Sequence, residues 1–171
     1  AKNLKTAKTF HDFFKNKKII KLYLAVISPP PSKKEQYITS NIDKSSFSNV
    51  RKMTTSNIKG KFAKTYMKTL VKNSKYALAL LYPITGRTHQ LRVHMNYIGC
   101  SIIGDKKYKL NENYVDNENF LKLHSYVIKF PNEDFIKAPL PEHFINFMKQ
   151  KKLEIDLEKI EKDFEKEFKY E

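Results

Sequence analysis

Glycine is scarce in this chain, with four in 171 residues, at positions 60, 86, 99 and 104. That excludes the glycine-dense phosphate loops of nucleotide-binding folds, and neither a Walker A nor a Rossmann pattern can be written from what remains. Cysteine occurs once, as Cys100, so no internal disulfide framework is possible and a reducing compartment suits the chain. No apolar run approaches the length of a membrane span, no signal-peptide pattern opens the chain, and no internal repeat is found. Arginine is almost missing too. Of 33 basic residues only Arg51, Arg87 and Arg92 are arginine.

What is abundant is lysine. A formal charge of +15 and a pI near 9.7 point to a polyanionic partner, with nucleic acid the first candidate. The lysines are spread along every segment beside many Asn and Ile, which is equally the mark of a biased background composition. Such a surface raises nonspecific affinity for RNA or DNA through counterion release and identifies no target. With 40% hydrophobic residues, the length suits one globular domain with a real core.

Periodicity places the elements. Residues 1–18 carry Leu4, Ala7, Phe10 or His11, and Phe14 at helical spacing. Residues 19–28 switch to a β-rich run in which Leu22, Leu24 and Val26 alternate with Tyr23, Ala25 and Ile27, stopped by Pro29, Pro30 and Pro31. A polar, lysine-rich excursion follows over 32–59, with short alternating stretches at 36–42 and 51–55. KFAKTYMKTLVK and YALALLYP then form two strands joined by a turn at Asn73-Ser74. Thr88 is placed to cap a short helix that runs to Asn96 or Tyr97 and stops at Gly99. Residues 121–130 alternate as a further strand, and the proline turn APLPEHF at 138–144 leads into another helix. The tail, 151–171, is expected to be a charged packing helix with Leu153, Leu157, Ile160, Phe164 and Phe168 as its stripe, following a main unit of 1–150. Together these elements define an α+β domain around a mixed, mainly antiparallel sheet with flanking helices.

The most informative segment is 86–108, GRTHQLRVHMNYIGCSIIGDKKY, which holds two of the three arginines and three of the four glycines. A chain that otherwise writes lysine needs a planar, permanently charged fork here. On the helix, Leu91, Met95 and Ile98 share one face, while Arg92 shares the other with His89 and Asn96. A metal site is not expected. His89 and His94 are five apart and point about 140° away from each other on a helix, and His11, His124 and His143 stand in separate segments.

This segment and its flanks closely resemble the RluA-type pseudouridine synthases, which convert uridine to pseudouridine in ribosomal and transfer RNA. Five signatures occur in order. They are Lys21-Leu22-Tyr23-Leu24-Ala25; Gly60-Lys61-Phe62-Ala63-Lys64-Thr65-Tyr66; TGRTHQLRVH at 85–94 with Gly99 and Gly104-Asp105-Lys106-Lys107-Tyr108; Leu123-His124-Ser125; and Ala138-Pro139-Leu140-Pro141 with Phe144. The family's catalytic aspartate lies in an HRLDxxTSG segment followed shortly by AKN, and this chain opens on Ala1-Lys2-Asn3. On that resemblance it is the C-terminal portion of a synthase, beginning just after the nucleophile. None of its seven Asp stands in a comparable setting, and Asp105 suits packing or loop order.

The resemblance implies an isomerisation without cofactor or metal. The N-glycosidic bond breaks, the base turns, and C5 joins C1′. Arg92 matches the arginine that pairs with the aspartate, since a carboxylate beside an extruded base needs a fixed counter-charge to stay ionised. Tyr23 matches the tyrosine that stacks on the target base. Leu123 is a candidate apolar floor for it. Arg87, His89 and Gln90 are candidate contacts to phosphates or the flipped nucleotide, although Arg87 suits a turn-shaping salt bridge equally well. The implied partner is RNA, with the protein acting as a monomer. Two readings follow: an enzyme whose nucleophile lies upstream, so that this chain alone is inactive, or a noncatalytic RNA-binding accessory protein of the same fold.

Overall fold

The computed structural model describes residues 2–44, 53–56, 59–110, 118–131, 135–158, 160 and 162. Its elements run in the order α1 (Leu4–Lys15), β1 (Ile20–Ser28), β2 (Glu35–Lys44), β3 (Met53–Ser56), β4 (Lys61–Lys72), β5 (Ala77–Pro83), α2 (Gln90–Tyr97), β6 (Ser101–Ile102), β7 (Leu123–Lys129), β8 (Ile136–Lys137) and α3 (Glu142–Gln150). The strands form one sheet in the order β3-β2-β4-β5-β1-β7-β8, with β6 also paired to β1. Every pairing among the described residues is antiparallel.

β1 is central because both its faces are apolar. Leu22, Leu24 and Val26 enter a core with Leu78, Leu80, Phe144, Phe147 and Met148. Ala25 and Ile27 enter a second core with Leu81, Leu91, Met95 and Ile102, where Tyr23 packs at the margin. A strand that alternates between two apolar sets must be covered twice, and α3 and α2 do so on opposite faces. β4 and β5 meet at the expected hairpin. Asn73 Oδ1 accepts from the backbone amides of Lys75 (2.9 Å) and Tyr76 (2.8 Å), which closes the turn. The polar excursion is not a loose surface loop over its described part: β2 and β3 extend the sheet. Arg51 lies outside the described residues.

Each helix ends in the same way. The amides of the two residues after the C-cap turn back onto the last turn, with Lys17, Gly99 and Lys152 in the left-handed region at φ 56, 78 and 54. This is the Schellman arrangement, and the glycine-poor chain uses lysine twice where glycine is easiest. The expected tail helix from Lys151 is corrected by it. Lys152 terminates α3, residues 153–156 are not helical, and helical residues recur from 157. Leu153 is fully buried, and Leu157 and Ile160 pack against the α3 core. Phe164 and Phe168 lie outside the described residues. α1 is shorter than expected. Asn3 Oδ1 accepts from Thr6 N at 2.8 Å, none of its residues is buried, and it touches the body through Phe10 on Phe130, 5.0 Å between centroids.

Candidate active site

The site is built around the turn from β5 into α2. Thr88 does not cap the helix. His89 holds that position at φ 56 with no side-chain cap bond, and the turn is tied down from behind by Gln90. Gln90 Oε1 accepts from Thr85 Oγ1 at 2.7 Å and from Arg87 N at 3.0 Å. Its Nε2 donates to Lys64 O and to Thr65 Oγ1, both at 2.9 Å. With every polar atom of its amide engaged and 4% of its surface exposed, Gln90 shapes the turn, at a position where a substrate contact was expected.

His94 continues the same network and is fully buried. Its Nδ1 lies 2.9 Å from Thr65 Oγ1 and its Nε2 3.1 Å from Ser40 Oγ. The neutral ring donates through one of these nitrogens and accepts at the other, so both hydroxyls are engaged. Burial holds the imidazole at a pKa of about 4. The chain Ser40–His94–Thr65–Gln90–Thr85 therefore bolts α2 to β2 and β4. Sequence reasoning missed it. The available signal was strand parity, because Thr65 sits between Ala63 and Met67 on the inward face of β4.

Arg92 stands on the next turn of α2 with its side chain 20% exposed. Its Nε donates to Asp105 Oδ2 at 2.7 Å and its Nη2 to Asp105 Oδ1 at 2.6 Å, a two-point fork. Nη1 hydrogen-bonds no described residue, so one edge of the guanidinium is fixed and the other remains available. Asp105 also accepts from the amides of Lys107 (2.9 Å) and Tyr108 (3.0 Å), which orders the loop as its sequence suggests. Burial pushes this carboxyl up, but the Arg92 hydrogen bond and the two amides outweigh it, so its pKa falls below the ordinary value. The hydrogen bond to Asp105 is the main reason that the Arg92 pKa is raised. Gly104 must be glycine: at φ 77, a Cβ there would collide with the carbonyl of Phe120.

Tyr108 closes the cluster. Its hydroxyl is 2.8 Å from His89 Nδ1 and accepts from Met53 N at 3.0 Å, and the Arg92 guanidinium lies 4.9 Å from its ring centroid. Burial first, then the Arg92 and Lys107 charges, lower the His89 pKa. Tyr23 and Leu123 share the α2 face of the sheet, on neighbouring strands, with Ala25 opposite Leu123 and Tyr23 opposite Ser125. Both are half-buried at the margin of the α2 core. Arg87 is exposed, donates from Nε to Phe62 O at 3.0 Å, and forms no ion pair among the described residues. In place of the turn-shaping salt bridge, the alternative to a phosphate contact, Arg87 makes a backbone tether. Among the described residues no three His, Cys, Asp or Glu side chains come together as a metal site.

Comparison with known proteins gives the family. The family described as RNA pseudouridylate synthase matches residues 1–97, more than half of the chain. The chain therefore belongs to that family. It is 36% identical over 151 residues to the ribosomal large subunit pseudouridine synthase C of Rickettsia bellii, covering 84% of this chain and 50% of that protein. It is 34% identical over 152 residues to the ribosomal large subunit pseudouridine synthase D of Borreliella burgdorferi, covering 86% of this chain and 46% of that one. The chain thus spans about half the length of the curated relatives it matches. Human RNA pseudouridylate synthase domain containing 1 has the same fold, with a TM-score of 0.78 at 24% identity over 95% of this chain and 72% of that one.

Proposed function

We propose that this chain is the part of an RNA pseudouridine synthase that binds the extruded uridine and supplies the arginine for its aspartate nucleophile. The substrate of the reading is ribosomal RNA, after the printed names of the relatives. The observation that carries it is the Arg92 fork. One edge is locked on Asp105 and the Nη1 edge is unclaimed among the described residues, on the helix that covers the sheet face bearing Tyr23 and Leu123. A guanidinium fixed on one side offers a second carboxylate a preset direction and a permanent charge. That keeps the second carboxylate ionised beside an uncharged base. In this reading Tyr23 stacks on the base, Leu123 supports it from beneath, and Arg87 and His89 face the flanking phosphates. The chemistry is that of a carboxylate nucleophile and calls for neither metal nor cofactor.

The nucleophile of this reading belongs to the HRLD-type segment and not to the chain. Asp105 is unsuited to attack because Arg92 and two amides already occupy its oxygens. The test is pseudouridine formation in bulk ribosomal RNA by the 171-residue chain and by a protein carrying that segment ahead of it. Turnover only in the longer protein is the expected result. Turnover by the chain alone would move the nucleophile inside it, and no turnover by either would sink the reading.

A further inference from the structure

A groove of about 580 Å3 opens beneath the C-terminal end of α1, where the start of β1 and the end of β5 meet the turn into α2. Its apolar and aromatic lining is Phe14 from α1 with Ile19, Tyr82 and Ile84. Four cations line it from three separate segments, Lys15 and Lys17 from α1 and its cap, Lys21 from β1, and Arg87 from the turn. None of the four has a carboxylate partner among the described residues. Lys21 is the telling one. It is half-buried, burial lowers its pKa, and its ammonium rests 5.8 Å from the Phe14 ring centroid. A half-buried, unpaired ammonium is costly to keep unless an anion joins it. The lining also continues outward. Tyr82 is the cross-strand partner of Tyr66, and Tyr66 of Tyr37, so three tyrosines line one row on the face opposite α2. Tyr37 is 61% exposed, with the Lys64 ammonium 4.5 Å from its ring centroid. One acid touches the row: Glu35 accepts from the hydroxyl of its middle ring, Tyr66, at 3.0 Å.

We infer that this groove and its tyrosine row bind a single-stranded RNA segment flanking the modified nucleotide, with the lysines on phosphates and Phe14 and Tyr37 stacking on bases. The inference rests on the RNA-modifying reading above and extends it from Arg87 to residues which that reading leaves unused. A phosphate site alone would not need an aromatic lining. An apolar partner would not need four cations that have no carboxylate partner among the described residues. Alternating cations and exposed rings meet both faces of a single strand, its charged backbone and its unstacked bases. The turn that holds Arg87 leads directly into α2, so one strand can pass from the groove towards Arg92.

The test is equilibrium binding of the full chain to a single-stranded RNA of roughly a dozen nucleotides, and to an abasic strand of the same length, across a salt series. Replacing Lys15, Lys17 and Lys21 together by Ala should reduce the slope of log affinity against log salt by roughly 2, at about 0.7 per phosphate contact. A control triple at Lys72, Lys149 and Lys152, away from the groove, should change the slope by less than about half a unit on the same scale. Phe14→Leu and Tyr37→Leu keep an apolar side chain but remove the ring. Each should weaken RNA binding by at least roughly fivefold and leave the abasic strand unaffected. Equal slope losses in both triples would overturn the groove while leaving the enzymatic reading intact. Equal binding of RNA and abasic strand, unmoved by the ring variants, would replace the RNA site with a general polyanion site. Failure of the parent chain to bind RNA even at low salt would overturn both the groove and the reading beneath it.

Discussion

α2 and α3 are nearly the same length, 8 and 9 residues, and cover opposite faces of one sheet, yet they are held by different means. α3 buries Phe144, Phe147 and Met148 and no polar side chain. α2 buries Leu91, Val93 and Met95, but with them Gln90 and His94. An apolar stripe fixes where a helix lies, and it tolerates small shifts along and around its axis. Buried hydrogen bonds tolerate almost none, because each one broken leaves a desolvated polar atom that costs about 1–3 kcal/mol. Among the described residues no buried side-chain nitrogen or oxygen lacks a partner. The chain thus spends specificity on the helix that aims Arg92 and simple burial on the helix that only closes a core.

The largest expected effect breaks the plain helix. Phe144→Ala removes a side chain 1% exposed and should cost about 3–5 kcal/mol of stability. In the protein that carries the upstream aspartate segment, turnover per folded molecule should hardly change, which a denaturant midpoint measured beside a temperature-controlled assay would check. Acid attacks the other helix. The His94 pKa is depressed to about 4, below its unfolded value, so the unfolded chain binds the extra proton first and stability falls as pH drops from about 6.5 towards 4. The contribution at stake is on the order of 3 kcal/mol, fully present above pH 6.5. His94→Gln, which cannot titrate, should flatten this part of the curve of unfolding free energy against pH. The smallest effect is a gain. Lys152→Gly relieves a left-handed lysine at the end of α3 and should stabilise by about 0.5–1 kcal/mol, raising the melting temperature by roughly 2 °C without altering activity.

α3, β1, β4, β5 and β7 were legible in the sequence because period and turn chemistry agreed in each. The hairpin at Asn73 and the proline entry to α3 are local features, and local features are readable without a fold. The resemblance carried the family as well. What remained hidden was non-local. Gln90 and His94 look like the polar side of an amphipathic helix, and only the approach of β2 and β4 to that side shows that they are buried. The Arg92–Asp105 fork joins residues on a helix and a later loop, and spacing alone does not say that they meet. The start of the tail differs for a related reason: a charged stripe reads as a continuous helix from Lys151, whereas a left-handed Lys152 interrupts it.

The direct test of the account is Arg92→Lys in the protein that carries the upstream aspartate segment, with turnover and melting temperature measured on the same preparation. Lysine keeps the charge and a single contact to Asp105 but loses the second point of the fork and the outward Nη1 edge. The account predicts turnover at least about a hundredfold lower, the scale of an ångström's misplacement at a reacting carboxylate, with a melting temperature within a few degrees of the parent. Near-normal turnover accompanied by a large fall in melting temperature would contradict it, and would make the fork with Asp105 a structural tie alone.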